Sequence, residues 1–360
     1  MRLGDIIDVA DGPEAAIDIS SLVFDDRQVV PGALFFCVPG FTRDGHDFAP
    51  LALERGAVAL VVERSLGLGC PEIVVPKVRS SMGPAAARFH GDPSRQLNVL
   101  GFTGTNGKTT SAYLARSILE QVGMRCGLLG TVESVVAGDV LEAGRTTPEA
   151  IELQALLALM RDGGDQAAVI EVSSHALDLG RVDGVTFAAS VFTNLTQDHL
   201  DYHGTMEEYW QSKRRLFTDL PRGVPVINLD DPYGASLAAE LEDAVTFGIR
   251  GGADWGVLGL ETDIVGSRFM MIGPDGEAAV ETALPGAFNV SNVLGAAAAV
   301  HALGVGFEEI VAALPHATRV PGRFEPVACG QPFAVLVDYA HTPDSLDNVL
   351  AAARQIATKR

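Results

Sequence analysis

The stretch Gly104-Thr105-Asn106-Gly107-Lys108-Thr109-Thr110 decides the fold, because it stands between an apolar run and an amphipathic helical pattern. The apolar run at 98–103 is typical of a strand, and apolar residues at helical spacing continue to a stop at Gly123. Backbone N–H groups of a glycine-rich turn and the dipole of the following helix both attract anions. The stretch therefore predicts a phosphate-binding loop.

Two residue types in this loop carry specific chemistry. Lys108 can reach the terminal phosphates of a nucleotide, and a threonine hydroxyl can bind Mg²⁺. The strict G-x-x-x-x-G-K-[ST] pattern requires glycine at position 102, where this chain has Phe102, so the loop is a variant. A glycine-rich turn without a ligand is the alternative interpretation.

Outward from the loop, four more apolar runs alternate with helical patterns and end in polar residues, at 125–129, 167–172, 188–193 and 224–229. This alternation predicts a doubly wound, mostly parallel sheet with helices on both faces. Such sheets bind ligands beyond the carboxyl ends of their strands. An uncharged run from Thr282 to Phe307 is interrupted by polar residues and predicts a loop followed by an alanine-rich buried helix.

The regions on either side of this sheet differ from it in pattern. Residues 1–95 contain short β-rich runs broken by Gly and Pro, which predicts a small separate α/β domain. After Pro321-Gly322-Arg323 we expect a hairpin, a strand reaching Asp338 and one helix over about 342–357. The predicted fold class is α/β, with a small N-terminal domain (1–95), a central P-loop domain (96–320) and the beginning of a third, Rossmann-like domain (321–360).

Composition limits the function classes. A formal net charge of -20 argues against a general affinity for nucleic acid or anionic membranes, since both need a basic surface. The four cysteines form no C-x-x-C pair, so neither a disulfide framework nor a cysteine zinc site is indicated. The N-terminal residues lack an apolar signal core. We expect a cytoplasmic enzyme that is monomeric and binds neither membrane nor nucleic acid.

Glu171 follows the apolar run 167–170 and should lie at the mouth of the sheet, where a metal ligand fits. A solvated residue at a strand end is the alternative. His199 and His203 lie four apart, but the pattern lacks the glutamate of a zinc helix. A single histidine beyond the strand that ends at Asn194 is better explained as a Mg²⁺ or phosphate contact, and a structural role stays open for either.

Lys213 lies on the apolar stripe of a helix predicted to begin near Thr205, because Met206, Tyr209 and Phe217 share its helical spacing. Burial lowers the pKa of a lysine, and the neutral amine can react with CO₂ to give an anionic carbamate that binds metal. Snorkelling of the side chain to solvent is the alternative.

Seven motifs together closely resemble the Mur ligase family: T-G-T-N-G-K-T-T (103–110), T-T-P-E (146–149), E-V-S-S-H (171–175), F-T-N-L-T-Q-D-H-L-D-Y-H-G (192–204), N-L-D-D (228–231), G-A-F-N-V-S-N (286–292) and V-D-Y-A-H-T-P-D (337–344). The resemblance implies an ATP-dependent ligase that adds the third residue, meso-diaminopimelate, to UDP-N-acetylmuramoyl-L-alanyl-D-glutamate through an acyl phosphate.

By the same resemblance each site residue has an implied role. Residues 104–110 would bind ATP, together with Asn289, Asn292, Arg323 and Asp338. Two Mg²⁺ ions would be organised by Thr109, Glu171, His199 and carbamylated Lys213. The catalytic set would be Lys108, Glu171, His199 and Lys213. The muramyl-peptide substrate would be held by Thr146, Thr147, Ser173 and Arg181, and its uridine diphosphate by Phe24, Asp26, Phe41, Thr42 and Arg43.

The chain departs from the family at three places. Asp26 replaces the serine of the usual Asp-Ser-Arg, which puts a carboxylate beside an anionic ligand. Arg145 replaces the asparagine that often precedes the threonine pair. The family's third domain, which selects the amino acid through Asp-Asn-Pro-Arg, is represented only by its first hairpin, strand and helix. We expect the strand at 333–337 to expose apolar surface.

Two other functions therefore stay open. The chain could be a nucleotide- and precursor-binding fragment that needs a partner supplying the remaining domain. It could also be a ligase with another substrate, either one that adds lysine or one of the folylpolyglutamate type.

Overall fold

The computed structural model describes residues 1–8, 12–221, 223–317, 320–327, 329–331 and 333–356. The chain divides into two compact units. The first comprises 1–96, 148–159 and 176–185, and the second comprises 97–147, 160–175 and 186–360. The domain boundaries at 95 and 320 stay predictions, but the sequence did not indicate that 148–159 and 176–185 belong with the N-terminal residues.

The first unit is a small α/β fold around one parallel sheet, in which the strands follow chain order. Its strands are β1 (Ser21–Val23), β2 (Ala33–Phe36), β3 (Ala57–Val62) and β4 (Glu72–Val74), and its helices are α1 (Leu3–Ile6), α2 (Ala49–Glu54) and α3 (Val78–Phe89). The residues of β2 and β3 are almost entirely buried, with apolar clusters on both faces of the sheet. Such apolar runs are typical of a parallel sheet covered on both sides.

The second unit is built on a sheet in the order β12-β11-β10-β5-β9-β6-β7-β8. Its strands are β5 (Asn98–Thr103), β6 (Cys126–Leu129), β7 (Glu133–Val136), β8 (Asp139–Glu142), β9 (Ala167–Glu171), β10 (Ala189–Phe192), β11 (Val224–Asn228) and β12 (Val245–Phe247). The run from β12 to β6 is parallel, and β7 and β8 add an antiparallel edge. The predicted mostly parallel sheet is confirmed, and each predicted strand agrees within one residue at either end.

The remaining helices up to residue 313 are α4 (Lys108–Gln121), α5 (Ala150–Asp162), α6 (Ser174–Asp178), α7 (Leu200–His203), α8 (Met206–Thr218), α9 (Pro232–Glu240), α10 (Ala287–His301) and α11 (Phe307–Ala313). A capping box formed by Thr205 and Glu208 begins α8, since each side chain bonds the backbone N–H of the other. The alanine-rich α10 is almost wholly buried, as the sequence predicted. It packs on α4.

An antiparallel meander follows the central sheet and was not predicted. Its strands are β13 (Gly256–Thr262), β14 (Ser267–Gly273) and β15 (Gly276–Thr282), which pair in chain order. Phe269 and Met271 of β14 and the nearby Trp255 join the main core of the second unit. The meander therefore extends that core.

The C-terminal elements are β16 (Glu325–Pro326), β17 (Leu336–Val337) and α12 (Pro343–Ile356), with β16 and β17 antiparallel. The strand predicted over 333–337 is thus confined to two residues, and within the described residues β17 pairs with the equally short β16 alone. The expected exposure of apolar side chains is confirmed, as Phe333 is 66% and Val337 47% exposed. Among the described residues, we find no helix with the length and apolar character needed to cross a bilayer.

Candidate functional site

The phosphate loop lies between β5 and α4, as the sequence predicted. Gly104 and Gly107 have φ values of +150° and +88°, a region that favours glycine. A side chain at Gly104 would overlap Thr193, and one at Gly107 would overlap Asn292. The backbone can therefore close tightly at the N-terminus of α4, which is the arrangement that binds phosphate.

Neighbouring side chains hold this loop in place. The amide of Asn194 accepts a hydrogen bond from the Asn106 N–H at 2.9 Å and donates to the Asn106 carbonyl at 3.1 Å. Thr193 Oγ1 donates to the same carbonyl at 2.6 Å. The hydroxyls of Thr105 and Tyr209 lie 3.1 Å apart. These hydrogen bonds fix the shape of the loop.

Two lysines converge on one oxygen of the loop. The Nζ atoms of Lys108 and Lys213 donate to the Gly104 carbonyl at 2.9 and 2.8 Å, and Lys108 also donates to the Thr105 carbonyl at 2.9 Å. Burial lowers the pKa of Lys108; Glu171 opposes this shift and Arg323 adds to it. Burial also lowers the pKa of Lys213, well below its ordinary value, and Lys108 contributes in the same direction.

Lys213 is 1% exposed, so its placement on the buried face of α8 is confirmed. Its Nζ meets a backbone carbonyl and lies 4.7 Å from the centre of the Tyr209 ring. Snorkelling to solvent is therefore wrong for this side chain. A buried amine with a lowered pKa is a nucleophile that CO₂ can modify.

Glu171 ends β9 with no exposed surface, so the solvated alternative is wrong. Its Oε2 accepts from Thr109 Oγ1 at 2.8 Å and from Thr131 Oγ1 at 3.1 Å, and its Oε1 accepts from the Thr131 N–H at 2.8 Å. Thr109 and Glu171 line a cavity of about 180 Å³ with Lys108 and His199. A hydroxyl beside a carboxylate is an oxygen donor set that fits Mg²⁺.

The described residues contain no group of three or more His, Cys, Asp or Glu side chains arranged to hold a metal. The expected metal donors are of a different kind, because they include a threonine hydroxyl and a modified lysine. The structure brings Thr109 to Glu171 directly, places His199 on the same cavity, and holds Lys213 on the loop backbone.

The two histidines have different surroundings. His199 has φ +51° and its ring centre lies 4.9 Å from that of His175. Burial lowers its pKa, which favours the neutral imidazole that can bind a metal. His203 is buried and its Nε2 lies 2.9 Å from Ser174 Oγ, which favours the structural role for this residue.

A larger cavity of about 490 Å³ adjoins the loop and has room for a nucleotide. It is lined by Asn289, Asn292, Arg323 and Asp338, the nucleotide-binding candidates outside the loop, and by Asn106, Gly107 and Thr110 from the loop region. Asn289 and Asn292 face it from the buried helix α10, where Asn292 Nδ2 donates to Asn289 Oδ1 at 3.3 Å.

Three residues between 320 and 356 reach the phosphate loop or support it. Arg323 donates to Thr109 Oγ1 at 3.2 Å, and its guanidinium stacks 4.7 Å from the centre of the Tyr339 ring. Asp338 accepts from the Phe324 N–H at 2.6 Å, which fixes the segment carrying Arg323. Asp344 Oδ2 accepts from Asn106 Nδ2 at 3.1 Å.

The candidate substrate residues of the second unit surround Glu171. Thr147 Oγ1 donates to the Glu171 carbonyl at 2.7 Å and accepts from the Ser173 N–H at 3.1 Å. The hydroxyl of Thr146 lies 3.1 Å from that of Thr131. The structure therefore brings Thr146, Thr147 and Ser173 to the mouth of the sheet.

The candidate substrate residues of the first unit fall into two groups. Arg181 Nη2 pairs with Glu149 at 2.9 Å, and Arg79 Nη1 lies 3.5 Å from the same carboxylate. The second group lies near β1 and β2: Phe24 packs on the core, Asp26 pairs with Arg55 at 2.5 Å, and Phe41, Thr42 and Arg43 are exposed.

Sequence reasoning missed several residues of the site. Thr131 directs two donors to Glu171, and Asn194 and Thr193 hold the loop. A usable signal existed, because each lies at or just after the carboxyl end of a predicted strand, where ligand-facing polar residues collect. Nothing in the local pattern indicated the contact from Asp344.

Family comparison matches residues 102–300 to the Mur ligase middle domain. It also matches 18–90 to the Mur ligase family catalytic domain and 322–360 to the Mur ligase glutamate ligase domain. The chain is 46% identical over 353 residues to UDP-N-acetylmuramoyl-L-alanyl-D-glutamate--2,6-diaminopimelate ligase of Geobacillus thermodenitrificans, covering 95% of this chain and 72% of the relative. The enzyme with the same name from Halalkalibacterium halodurans is 45% identical, with 94% and 71% covered.

Solved structures of Mur ligases are similar to this chain. One of UDP-N-acetylmuramoyl-L-alanyl-D-glutamate--2,6-diaminopimelate ligase matches with a TM-score of 0.87 at 30% identity, covering 100% of this chain and 75% of the other. MurF of Thermotoga maritima in complex with ADP matches with a TM-score of 0.68 at 19% identity, covering 93% and 74%, which supports the fold alone.

Proposed function

The chain belongs to the Mur ligase family, and on that premise we propose that it is an ATP-dependent ligase that joins meso-diaminopimelate to UDP-N-acetylmuramoyl-L-alanyl-D-glutamate in peptidoglycan synthesis. One observation carries the proposal. The phosphate loop lies beside the buried Glu171, which accepts a hydrogen bond from Thr109 of that loop's helix. The similarity to diaminopimelate ligases over 95% of the chain supports the choice of substrates.

The reaction has two steps. A carboxylate oxygen of the D-glutamyl residue attacks the γ-phosphorus of ATP, ADP leaves, and an acyl phosphate forms. The amine of the incoming amino acid then attacks the acyl carbon, loses a proton, and phosphate leaves with the former carboxylate oxygen. The positive charge of Lys108 stabilises the negative charge on the transferred phosphoryl group once its Nζ leaves the loop carbonyls.

Magnesium would supply positive charge to the phosphoryl oxygens during transfer. The residues that would hold it are Thr109, Glu171, His199 and Lys213. For Lys213 we propose carbamylation: the neutral amine attacks the carbon of CO₂ and loses a proton, which converts the buried amine into an anionic ligand. The burial of its Nζ beside Lys108 supports this step, because two adjacent ammonium groups repel each other.

We propose that Thr146, Thr147, Ser173 and Arg181 bind the muramyl-peptide part of the precursor, and that Phe24, Asp26, Phe41, Thr42 and Arg43 bind its uridine diphosphate. The ion pair between Asp26 and Arg55 supports uridine diphosphate binding despite the departure at position 26. A paired carboxylate repels an anion less than an unpaired one. Arg181 carries a guanidinium suited to a substrate carboxylate.

Two other functions are distinguishable by experiment. One is a nucleotide- and precursor-binding chain that needs a partner for turnover. The folylpolyglutamate alternative has no support beyond fold, since the matching structures are 20% identical. We further propose that the chain acts in the cytoplasm as a monomer.

Phosphate release tests the proposed reaction. The purified chain is given ATP, Mg²⁺ and the UDP-linked dipeptide, with diaminopimelate, with lysine, or with neither. Release that depends on diaminopimelate, with a tripeptide product, supports the proposal. Equal or greater release with lysine contradicts the choice of amino acid, and tight binding of both substrates without turnover identifies a fragment that needs a partner.

A further inference from the structure

The first unit contains a buried histidine that the reaction does not use. His46 is 3% exposed and lies in the short helical turn Gly45–Phe48. Its Nε2 accepts the backbone N–H of Glu63 at 2.9 Å, directly after β3, and its Nδ1 lies 2.6 Å from Asp44 Oδ1. Since Nε2 is an acceptor, the neutral tautomer with its proton on Nδ1 satisfies both partners.

The Asp44 carboxylate accepts several hydrogen bonds. Besides the His46 ring, it accepts the His46 backbone N–H at 3.0 Å and Arg64 Nη2 at 2.9 Å. Burial acts to raise the pKa of Asp44, but these hydrogen bonds outweigh burial and hold the pKa well below its usual range. Asp44 is therefore a stable carboxylate that orients the ring.

Residues 39–44 form a tight turn directly before His46. The Gly40 N–H donates to the Arg43 carbonyl at 2.9 Å, and Pro39 and Asp44 pair across the base of the turn. The Gly45 N–H donates to the Val38 carbonyl at 2.9 Å, and a side chain at Gly45 would overlap the Val38 backbone. The base of the turn is thus fixed.

The tip of the turn differs from its base. Residues 41–43 are all exposed, and Phe41 reaches 80%. When binding has to order the backbone of one residue, the affinity falls by roughly tenfold. A turn whose shape is fixed from its base spares a ligand this loss when it binds to the tip.

We propose that His46 is a positioning residue, whose ring joins the end of β3 to Asp44 and so presents Phe41, Thr42 and Arg43 to the uridine diphosphate of the precursor. This inference rests on the proposed function, which assigns that ligand to these three residues. His46 is buried under the turn and acts through it.

The test compares His46→Gln and His46→Phe in the full chain. The phenylalanine ring fills the space without hydrogen bonds, whereas glutamine can still accept the Glu63 N–H through Oε1. We expect KM and Kd for the UDP-linked dipeptide to rise roughly tenfold in His46→Phe and less in His46→Gln. At saturating precursor, kcat and the KM for ATP should stay within about twofold. Arg88→Gln, which removes an exposed pair with Asp8 in the same unit, is the matched control.

Hydrogen exchange without ligand separates positioning from general damage. The amides of Gly40 and Gly45 should exchange faster in His46→Gln, with amides of β2 and β3 unchanged. If His46→Phe does not fold, the precursor affinity of His46→Gln alone tests the inference. Unchanged precursor affinity in a folded variant, or a fall in kcat with KM constant, overturns the inference but leaves the proposed function intact. Failure of the unsubstituted chain to bind the precursor overturns the proposed function itself.

Discussion

The phosphate loop and the segment 320–356 both line the cavity that we assign to the nucleotide, yet they are held very differently. Strand β5 leads into the loop and pairs on both sides, with β9 and β10, and its residues 99–103 are buried. Strand β17 pairs over two residues with β16, and the apolar side chains around it are largely exposed. One half of the site is thus built into a core and the other rests on few contacts.

The difference indicates how the two halves work. Buried, hydrogen-bonded groups such as Lys108, Glu171 and Lys213 can stabilise charge during phosphoryl transfer without reorganisation. Arg323 and Asp344 touch the loop through single hydrogen bonds from a sparsely packed segment, so they suit nucleotide affinity and its adjustment more than the chemical step. Substitutions in the first half should therefore reduce kcat, and those in the second should change the affinity for ATP.

The largest effect is expected at Lys108. Lys108→Met removes the charge that reaches the phosphoryl group, and kcat for precursor-dependent phosphate release should fall by a factor on the order of 10³. Precursor affinity should fall much less than kcat, since the charge of Lys108 acts on the transferred phosphoryl group. Lys77→Met, at an exposed position, is the control. A loss below tenfold would place the charge stabilisation outside the loop.

Lys213 should follow. Lys213→Ala is expected to lower kcat roughly 100-fold, because an anionic metal ligand is lost. Short carboxylic acids such as acetate should restore part of the activity by occupying the space left by the carbamate. Activity lost without such rescue, and insensitivity of the unsubstituted chain to bicarbonate, would count against carbamylation.

The same lysine should destabilise the fold. Its pKa is lowered in the folded chain from an ordinary 10.5, so below that pH the unfolded chain binds the extra proton and stability rises with pH. In CO₂-free buffer, Lys213→Met should increase the free energy of unfolding by about 1–3 kcal/mol at pH 7. The gain should shrink toward pH 10 in urea titrations. A variant less stable than the parent at pH 7 would contradict a buried, destabilising amine.

The same contrast explains what could be predicted from the sequence. The strands ending at Thr103, Glu171 and Phe192 were predictable because long apolar runs in a parallel sheet are set by burial on both faces. Lys213 was predictable for a similar reason, since α8 has a clear apolar stripe. The Asp344 contact was not predictable, because its partner Asn106 lies far away in the sequence. The meander β13–β15 and the shortness of β17 were not predictable for another reason, since partly exposed strands have a weak apolar pattern.

Arg323→Ala should have a smaller effect than either lysine. Loss of its guanidinium removes a charge from the nucleotide cavity and a hydrogen bond to Thr109, so the KM for ATP should rise roughly tenfold with kcat within about threefold. Arg268→Ala, on the exposed meander, is the matched control. A kcat loss as large as that of Lys108→Met would erase the distinction between the two halves.

Asp344 provides the finest test, because it lies in the same segment as Arg323 and has the opposite charge. Its Oδ2 accepts from Asn106 Nδ2 and from Thr196 Oγ1 at 3.1 and 3.2 Å, on the cavity that we assign to the nucleotide. Asp344→Asn keeps an acceptor oxygen but removes a charge that repels polyphosphate. Affinity for ATP, measured by calorimetry, should therefore rise about threefold, most clearly at low salt. A weaker affinity would mean that the carboxylate shapes the loop more than it repels the ligand, and the segment would then share the preorganised character of the core.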